Sequence, residues 1–163
     1  MKRKRSAVTA RIAVIAMTAI LAFLPGCAPA ETADGWILCQ PDSFVNVREW
    51  PRKTSRKTGF LELGEQIRTD GETKNGFLHI IGCTTESGDG WVSCGYVVGD
   101  QPQVETCRAW IDSTGRVACR RATNGERRKW LHGGDELTLY ACSAEWSVTS
   151  EGFVRTEYLI AER

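Results

Sequence analysis

The sequence has no apolar run long enough to cross a bilayer. Its uncharged, mostly apolar stretch, Ile12–Leu24, would span about 20 Å as a helix, against a hydrocarbon core of about 30 Å. No two cysteines have the Cys-x-x-Cys spacing that is typical of zinc sites. No stretch carries a sustained helical period. These absences argue against a membrane-spanning helix or uncleaved anchor, a structural zinc site and a helical fold.

The sequence also shows no set of residues arranged for covalent catalysis. Histidine is scarce, with two residues in 163, and these lie in a strand-like segment (His79) and a glycine-rich turn (His132). A cysteine–histidine nucleophilic pair needs both groups within about 3 Å and a third group to orient the base, and no such set is evident. We therefore predict that the protein is not an enzyme and has no catalytic residue, no metal ion and no cofactor.

The first thirty residues have the pattern of an export signal. A basic start is followed by the short apolar stretch and then by small residues. Leu24-Pro25-Gly26-Cys27 resembles a bacterial lipobox, whereas cleavage after Ala30 would release a soluble product. We expect residues 1–30 to be a cleaved signal peptide. The exported protein is then either held at the outer face of the cytoplasmic membrane by lipid on Cys27, its one link to a membrane, or secreted.

Loss of this segment would change the charge of the protein. The whole chain has 21 basic and 20 acidic residues and a formal net charge of +1. Residues 1–30 hold five basic residues and no acidic one, so the remainder has 16 basic and 20 acidic residues and a net charge of −4. An acidic exported protein is poorly suited to nucleic acid, and none is expected as a partner.

Behind the signal, one order of segments occurs twice. Gly90–Val97, which begins Gly-Trp-Val, returns as Gly152–Leu159, which begins Gly-Phe-Val. Val45–Arg48 returns as Val117–Arg120, and both segments alternate as short strands should. Asn75-Gly76 is typical of a tight hairpin turn. We predict an all-β chain of two units, each with about five strands and about 60 residues.

We place the two units at residues 36–99 and 103–163, with a boundary at the glycine and proline of 99–102. Residues 31–35 are expected to form a polar tether. Trp91 and Phe153, which begin the last strand of each unit beside a valine, are expected in the core.

The doubled pattern is similar to the bacterial SH3 (SH3b) family. The first unit matches from Phe44 to Val98 through Val-Asn-Val-Arg, a polar loop, Leu-x-x-Gly-x-x-Ile, an aromatic strand, and Gly-Trp-Val with Tyr-Val. The second unit has Cys119 in place of an aliphatic residue and Phe153 in place of tryptophan. The resemblance implies two consecutive small SH3-like β-barrels. It also implies binding, often to cell-wall peptide or glycan, rather than catalysis, which is an analogy from fold.

Two basic loops supply the candidate binding residues. They are predicted at 49–59 and 121–129, with one tryptophan beside each, and Tyr96 and Tyr158 close the units next to them. A cationic rim with an aromatic floor suits carboxylates of wall peptides, phosphates of wall polymers or lipid headgroups. The alternative is a pair of solvated loops. The predicted ligand-binding residues are Arg48, Trp50, Arg52, Tyr96, Arg120, Arg128, Trp130 and Tyr158.

These features predict an exported binding protein whose partner is cell-wall peptide or an anionic polymer of the envelope. Two alternatives stay open. The protein could be a structural or interaction module that docks on a surface protein, or a subunit that targets a separate cell-wall hydrolase.

Six cysteines remain once Cys27 is lost or lipidated, and an even number in an exported chain suggests disulfides. Six cysteines allow 15 pairings. The preferred bridges are Cys39–Cys94, between the first and last strands of the first unit, and Cys107–Cys119, across a hairpin that turns at 112–115. Buried reduced cysteines are the alternative.

Overall fold

The structure, a computed structural model, describes residues 32–82 and 88–162. The predicted signal peptide, with Cys27 and the cleavage site after Ala30, lies outside the described residues, as does Cys83. In the described ranges, no helix is long and apolar enough to span a membrane. The architecture there is all-β, as predicted.

The described residues form two seven-stranded sheets. The strands of the first sheet are β1 (Ala33–Ile37), β2 (Val45–Arg48), β3 (Lys57–Leu61), β4 (Gln66–Lys74), β5 (Phe77–Ile80), β6 (Gly90–Ser93) and β7 (Val97–Val98). Those of the second are β8 (Gln103–Ile111), β9 (Val117–Arg120), β10 (Arg127–Leu131), β11 (Glu136–Cys142), β12 (Trp146–Thr149), β13 (Gly152–Arg155) and β14 (Leu159–Ala161). A 3₁₀ turn precedes the last strand of each sheet, at Cys94–Tyr96 and Thr156–Tyr158.

The two sheets have the same strand order. The first runs β3-β2-β6-β5-β4-β1-β7 and the second β10-β9-β13-β12-β11-β8-β14. Each strand of the second sheet thus corresponds to the strand of the first sheet whose number is seven lower, so that β10, for example, corresponds to β3. The repeat in the sequence recurs as a repeat of topology, with seven strands in each sheet rather than about five. We call β1–β7 the first repeat and β8–β14 the second repeat.

The first strand begins earlier than the sequence predicted. Ala33, Asp34 and Gly35 were expected in a polar tether, but they pair antiparallel with Thr69, Arg68 and Ile67 of β4. A Cβ at Gly35 would lie 3.1 Å from Val97 Cγ1, so glycine lets β1 fit closely beside β7. The tether prediction is wrong for these three residues, because a short Ala-Asp-Gly segment has no alternating apolar pattern that would mark it as a strand.

The hairpin turn predicted at Asn75-Gly76 is confirmed. The two residues join β4 to β5 with φ of 53° and 76°, the left-handed pair that a type I′ turn requires. The Asn75 side-chain amide donates a hydrogen bond to the carbonyl of Pro51 at 3.2 Å. The turn therefore also fixes the tip of this hairpin against the loop between β2 and β3.

Each repeat has its own apolar core. Along β2, Val45 and Val47 are buried while Asn46 and Arg48 are half-buried, as the alternation predicts. The core of the first repeat consists of Ile37, Cys39, Val45, Val47, Leu61, Ile67, Ile80 and Val92, and that of the second of Ile111, Val117, Cys119, Leu131, Leu137 and Val154. Because side chains from most strands of one sheet meet in one cluster, each sheet curls around its own core.

A third apolar cluster joins the two repeats. Its buried members are Leu38 and Val98 from the first repeat and Ala141, Trp146, Val148 and Phe153 from the second. The Tyr96 ring meets the Phe153 ring edge to face, with 6.0 Å between centroids, a favourable arrangement for aromatic pairs. Trp91 and Phe153 are both buried, as predicted, but Phe153 packs against the neighbouring repeat.

Hydrogen bonds also cross between the repeats. The buried Thr123 donates from its backbone N–H and its hydroxyl to the Gly95 carbonyl, at 3.0 and 3.2 Å. The side-chain amide of Gln40 donates to the Thr149 carbonyl at 3.1 Å. A Cβ at Gly95 would lie 3.0 Å from the Ala122 Cβ, so the backbones approach closely here. These contacts hold the repeats in one mutual orientation.

The glycine that opens the repeated Gly-aromatic-Val segment is required by close strand approach. A Cβ at Gly90 would overlap Val47 Cγ1, and one at Gly152 would lie 2.5 Å from the Arg120 carbonyl oxygen. Gly152 also has φ of 134°, which side-chain-bearing residues rarely adopt.

Gly152→Ala is accordingly expected to lower the free energy of unfolding by about 1–3 kcal/mol. Gly90→Ala should cost less, because Gly90 lacks the positive φ of Gly152 and its Cβ would meet a side chain, Val47, at closest approach instead of a backbone carbonyl. Urea denaturation measures both, with Gly99→Ala as the control, since no atom lies within 4 Å of a Cβ there. Equal stability of Gly99→Ala and Gly152→Ala would contradict the close approach.

The five described cysteines are free thiols, so neither predicted bridge is present. The Cys39 thiol lies in the first core and points to the Ser43 carbonyl at 3.6 Å, which leaves it apart from Cys94. Cys107–Cys119 was expected across a hairpin, but β8 and β9 are not neighbours. Three strands lie between them in the sheet, because the chain crosses from one to the other instead of turning back. The hairpin prediction is therefore wrong.

Burial of Cys39 is expected to slow the reaction of its thiol with alkylating reagents. Desolvation, with a smaller contribution from the Glu62 charge, raises the pKa of the Cys39 thiol from 9.0 to about 11. At pH 8 this higher pKa makes the thiolate fraction about 100-fold smaller than that of an ordinary cysteine. We expect iodoacetamide to modify Cys39 about 100-fold more slowly in folded than in urea-unfolded protein, as followed by peptide mass mapping. Equal rates in the two states would contradict this environment.

Candidate functional site

A cavity of about 670 Å³ lies on the second repeat, and we call it the second-repeat cavity. It is bounded by β9, by the ends of β10 and β13, by the start of β12 and by the second 3₁₀ turn. Its charged and aromatic lining residues are Arg116, Arg120, Trp130, Trp146, Arg155, Glu157 and Tyr158, and Ser113 and Asn124 add polar groups.

Strand alternation places these side chains. In β10, Leu131 points into the core, so the preceding Trp130 faces outward and is 38% exposed. In β9, Cys119 is buried and Arg120 faces the other side. In β13, the same alternation puts Val154 inside and Arg155 outside. Adjacent strands thus present one tryptophan and two arginines to a single surface.

Guanidinium groups cover the indole faces at this surface. Arg116 and Arg127 lie over the Trp130 ring, with Cζ 5.0 and 4.4 Å from its centroid, and Arg155 lies 4.6 Å over the Trp146 ring. A cation stacked on an aromatic ring is attracted by the ring quadrupole, while the N–H donors of the planar guanidinium point outward in its own plane. The tryptophans therefore hold the arginines in place, and Arg116 is held without a carboxylate partner among the described residues.

The charge of the cavity is positive. Glu157 is the one acidic residue in its lining. Arg155 pairs with Glu145 at 3.4 Å, and Arg120 donates from Nη1 to the Gly125 carbonyl at 2.9 Å. Among the described residues, Arg116 and Arg120 have no carboxylate partner within 4.0 Å. A site with several arginines and so few acids is suited to an anion.

The equivalent place on the first repeat is built differently. Its cavity has about 270 Å³, and Phe44, Phe60, Phe77 and Ser93 stand where the second repeat has Arg116, Trp130, Trp146 and Arg155. Phe44 and Phe60 pack together, with centroids 5.7 Å apart. The cations that remain in its lining are Arg48 and Lys53. The duplicated surface is thus cationic and open in the second repeat, but smaller and more apolar in the first.

The structure brings together three of the predicted site residues, Arg120, Trp130 and Tyr158, at the second-repeat cavity. Arg48 and Tyr96 line the first-repeat cavity. Tyr96 also lines a crevice between the repeats, as does Arg128. Trp50 and Arg52 are exposed in the loop 49–56, and neither lies at these cavities.

Two details of the basic loops were wrong. The loops are shorter than predicted, 49–56 and 121–126, because β3 begins at Lys57 and β10 at Arg127. Trp130 therefore lies on a strand, and its counterpart is Phe60 rather than Trp50. The sequence reasoning also missed Arg116, Trp146 and Arg155. Alternation with the buried Val117 and Val154 could have placed the two arginines on the outer surface.

A second group of polar side chains lies on the β4–β5 hairpin. One ligand atom from each of Asp70, Glu72 and His79 lies within 4.8 Å of the others, which is close enough for a cation. Nδ1 of His79 is 2.8 Å from Asp70 Oδ2, and this hydrogen bond holds the pKa of Asp70 below its usual value. The His79 ring also contacts the Trp91 ring at a tilt of 43°, with 4.9 Å between centroids. These contacts account for the positions of Asp70 and His79.

No protein-family model and no curated protein matches the chain. Among solved structures, it is similar to NlpC1 from Trichomonas vaginalis, with a TM-score of 0.37 and 12% identity over 84% of this chain and 48% of that one. NlpC2 from the same organism gives 0.36 and 11% identity over 83% and 50%. The chain spans about half the length of each. Similarity at this level supports neither a fold assignment nor a function.

Proposed function

We propose that the protein is an exported, non-enzymatic binding protein of the cell envelope, built from two SH3b-like β-barrels. Its second repeat recognises an anionic group, either a carboxylate of cell-wall peptide or a phosphate of an envelope polymer. The observation that carries the proposal is the second-repeat cavity, in which stacked arginines line an open surface. The doubled SH3b-like motif and the shared strand order support the two-barrel architecture. The basic and apolar pattern of residues 1–30 supports export.

The geometry of the arginines favours an anion over a neutral sugar. A sugar ring would stack on an exposed aromatic face, but guanidinium groups lie over the rings of Trp130 and Trp146. What these groups present instead is a set of N–H donors, and a planar guanidinium matches carboxylate and phosphate oxygens in paired hydrogen bonds. The volume of about 670 Å³ is within the usual range for a small-ligand site, about 300–1,000 Å³.

The same residues favour binding over catalysis. Arg116, Arg120 and Arg155 offer only N–H donors, so they can hold and orient an anion. Trp130 and Trp146 supply ring faces that are already covered. A lining dominated by such groups is suited to recognition.

A retention assay with purified cell-wall sacculi tests this proposal. Protein of residues 31–163 should sediment with sacculi at physiological salt and be released by high salt, because the attraction between charges is screened. The matched control is Arg68→Gln/Lys74→Gln, which removes two exposed cations from β4, away from the cavity, and should be retained like the wild type. Failure of the wild type to sediment at moderate salt would overturn binding to the wall.

A second candidate function is docking on a surface protein, including a cell-wall hydrolase that this chain would target. The exposed pair of Phe44 and Phe60 favours it, since their side chains are 56% and 61% exposed while packed together. Exposed paired aromatics are more typical of an interface than of a solvated strand. Loss of a co-purifying partner in Phe60→Ser, with sacculus binding unchanged, would support docking.

A further inference from the structure

A second cationic cavity, which we call the crevice, lies between the two repeats. It has about 340 Å³ and is lined by Gln40, Ser43 and Tyr96 of the first repeat and by Arg120, Arg121, Arg128 and Phe153 of the second. The hydrogen bond from Gln40 to Thr149 and the ring contact of Tyr96 with Phe153 join its two walls. The crevice therefore exists only because the repeats are packed against each other.

The crevice, like the second-repeat cavity, is lined by arginines, whose N–H groups can donate hydrogen bonds to a ligand. Three arginines line it, and no carboxylate does. Arg128 donates from Nη1 to the Glu151 carbonyl at 3.1 Å, while the Glu151 carboxylate pairs with Lys129. Within the described ranges, Arg120 and Arg121 have no ion-pair partner within 4.0 Å. The crevice is thus a second place suited to a negative charge.

Arg120 borders both the crevice and the second-repeat cavity. It ends β9, lies opposite Phe153 of β13 and is held by its hydrogen bond to the Gly125 carbonyl. Arg120 is thus a residue that the two cavities share. The cavity is also lined by Arg116 and Arg155, and the crevice by Arg121 and Arg128.

We propose that the cavity and the crevice form one continuous site for a linear polyanion, a flexible polymer with one negative charge on each repeating unit. This inference rests on the proposed function and extends it from a single anionic group to a ligand that spans both repeats. A ligand with one carboxylate or phosphate occupies either the cavity or the crevice. A chain of charges contacts both at once, and its second contact benefits from the high local concentration set by the first.

Titration with phosphate chains of increasing length tests the proposal. Calorimetry on protein of residues 31–163 would compare inorganic phosphate, tripolyphosphate and long-chain polyphosphate at constant ionic strength. We expect affinity per phosphate unit to rise by about 100-fold or more from the shortest to the longest ligand. A parallel titration with polygalacturonate shows whether carboxylate chains are preferred to phosphate chains, and a preference for either one is consistent with a linear polyanion.

Variants separate the two parts of the site. Arg121→Gln/Arg128→Gln should lower affinity for long-chain polyphosphate about 10-fold or more, and affinity for tripolyphosphate by a clearly smaller factor, because the short chain can still bind at the second-repeat cavity. Arg116→Gln should weaken both ligands. Arg68→Gln/Lys74→Gln removes two charges outside the site and should change neither by more than about twofold. Circular dichroism checks that each variant is folded.

Three results would overturn the inference. One is an affinity per phosphate unit that does not depend on chain length, and another is a crevice variant that behaves like the charge control. A preference for a DNA oligonucleotide of equal charge would be the third, because base stacking would then be the chemistry recognised. In the first two cases the proposed function survives if Arg116→Gln still lowers retention on sacculi. If Arg116→Gln has no effect there, the proposed function fails independently.

Discussion

Phe153→Ala is expected to lower the free energy of unfolding by about 3–5 kcal/mol, a large fraction of the stability of a small protein. The side chain is 2% exposed and belongs to the cluster between the repeats, where it meets Tyr96. Its removal leaves a cavity that the two packed sheets cannot fill. Chemical denaturation measures the loss, and Phe60→Ala is the matched control. Because Phe60 is 61% exposed, its loss should cost no more than about 1.5 kcal/mol.

Substitution of Phe153 also tests whether the two repeats stabilise each other. A double-mutant cycle with Tyr96→Ala and Phe153→Ala should give a coupling of about 0.5–1.5 kcal/mol. The two rings belong to different repeats, so this energy exists only across the interface. A coupling of zero, together with two separate unfolding transitions, would contradict the packing described here.

Arg116→Gln is expected to weaken binding of the anionic ligand about 10- to 100-fold, since a hydrogen bond to a charged group contributes about 1.5–3 kcal/mol. The guanidinium of Arg116 lies over Trp130 and has no carboxylate partner within the described residues. Trp130→Phe gives an independent check, because a smaller ring holds the stacked guanidinium less firmly. It should weaken binding less than Arg116→Gln. Sacculus binding isotherms at fixed salt provide the measurement.

A variant on the first repeat serves as the control for Arg116→Gln. Phe44 stands in the place of Arg116 on the first repeat, so Phe44→Ala should leave binding unchanged. If Phe44→Ala weakens retention and Arg116→Gln does not, the ligand contacts the first repeat, and the assignment to the second-repeat cavity is wrong.

Residues close together in the sequence made much of the fold predictable. The alternation in Val45–Arg48, the Asn75-Gly76 turn and the repeated Gly-aromatic-Val segment each carry a short-range signal. β10 carried no such signal, because Arg127, Arg128, Lys129 and Trp130 are all exposed on an edge strand. Without a buried face, an edge strand has no period of two and looks like a polar loop.

The interface and the cavity could not be predicted in the same way. Leu38, which directly follows β1, and the strand residues Trp146 and Phe153 are apolar. An apolar pattern does not show whether such a residue packs in the core of its own repeat or against the neighbouring repeat. The cavity brings Arg116 together with Arg155 and Tyr158, which lie about 40 residues further along the chain. Individual members such as Trp130 and Tyr158 were recognisable by residue type. The stacking of arginine on tryptophan became evident only in three dimensions.

The most direct test of the central claim is to map by NMR where a soluble anionic wall fragment binds. Addition of the fragment to ¹⁵N-labelled protein should shift the Trp130 indole N–H, the side-chain Nε–H signals of Arg116 and Arg155, and the backbone amides around Tyr158. Signals from the Asn75-Gly76 hairpin of the first repeat should stay in place. Shifts confined to the first repeat, or no shifts at a concentration that saturates sacculus binding, would contradict the account.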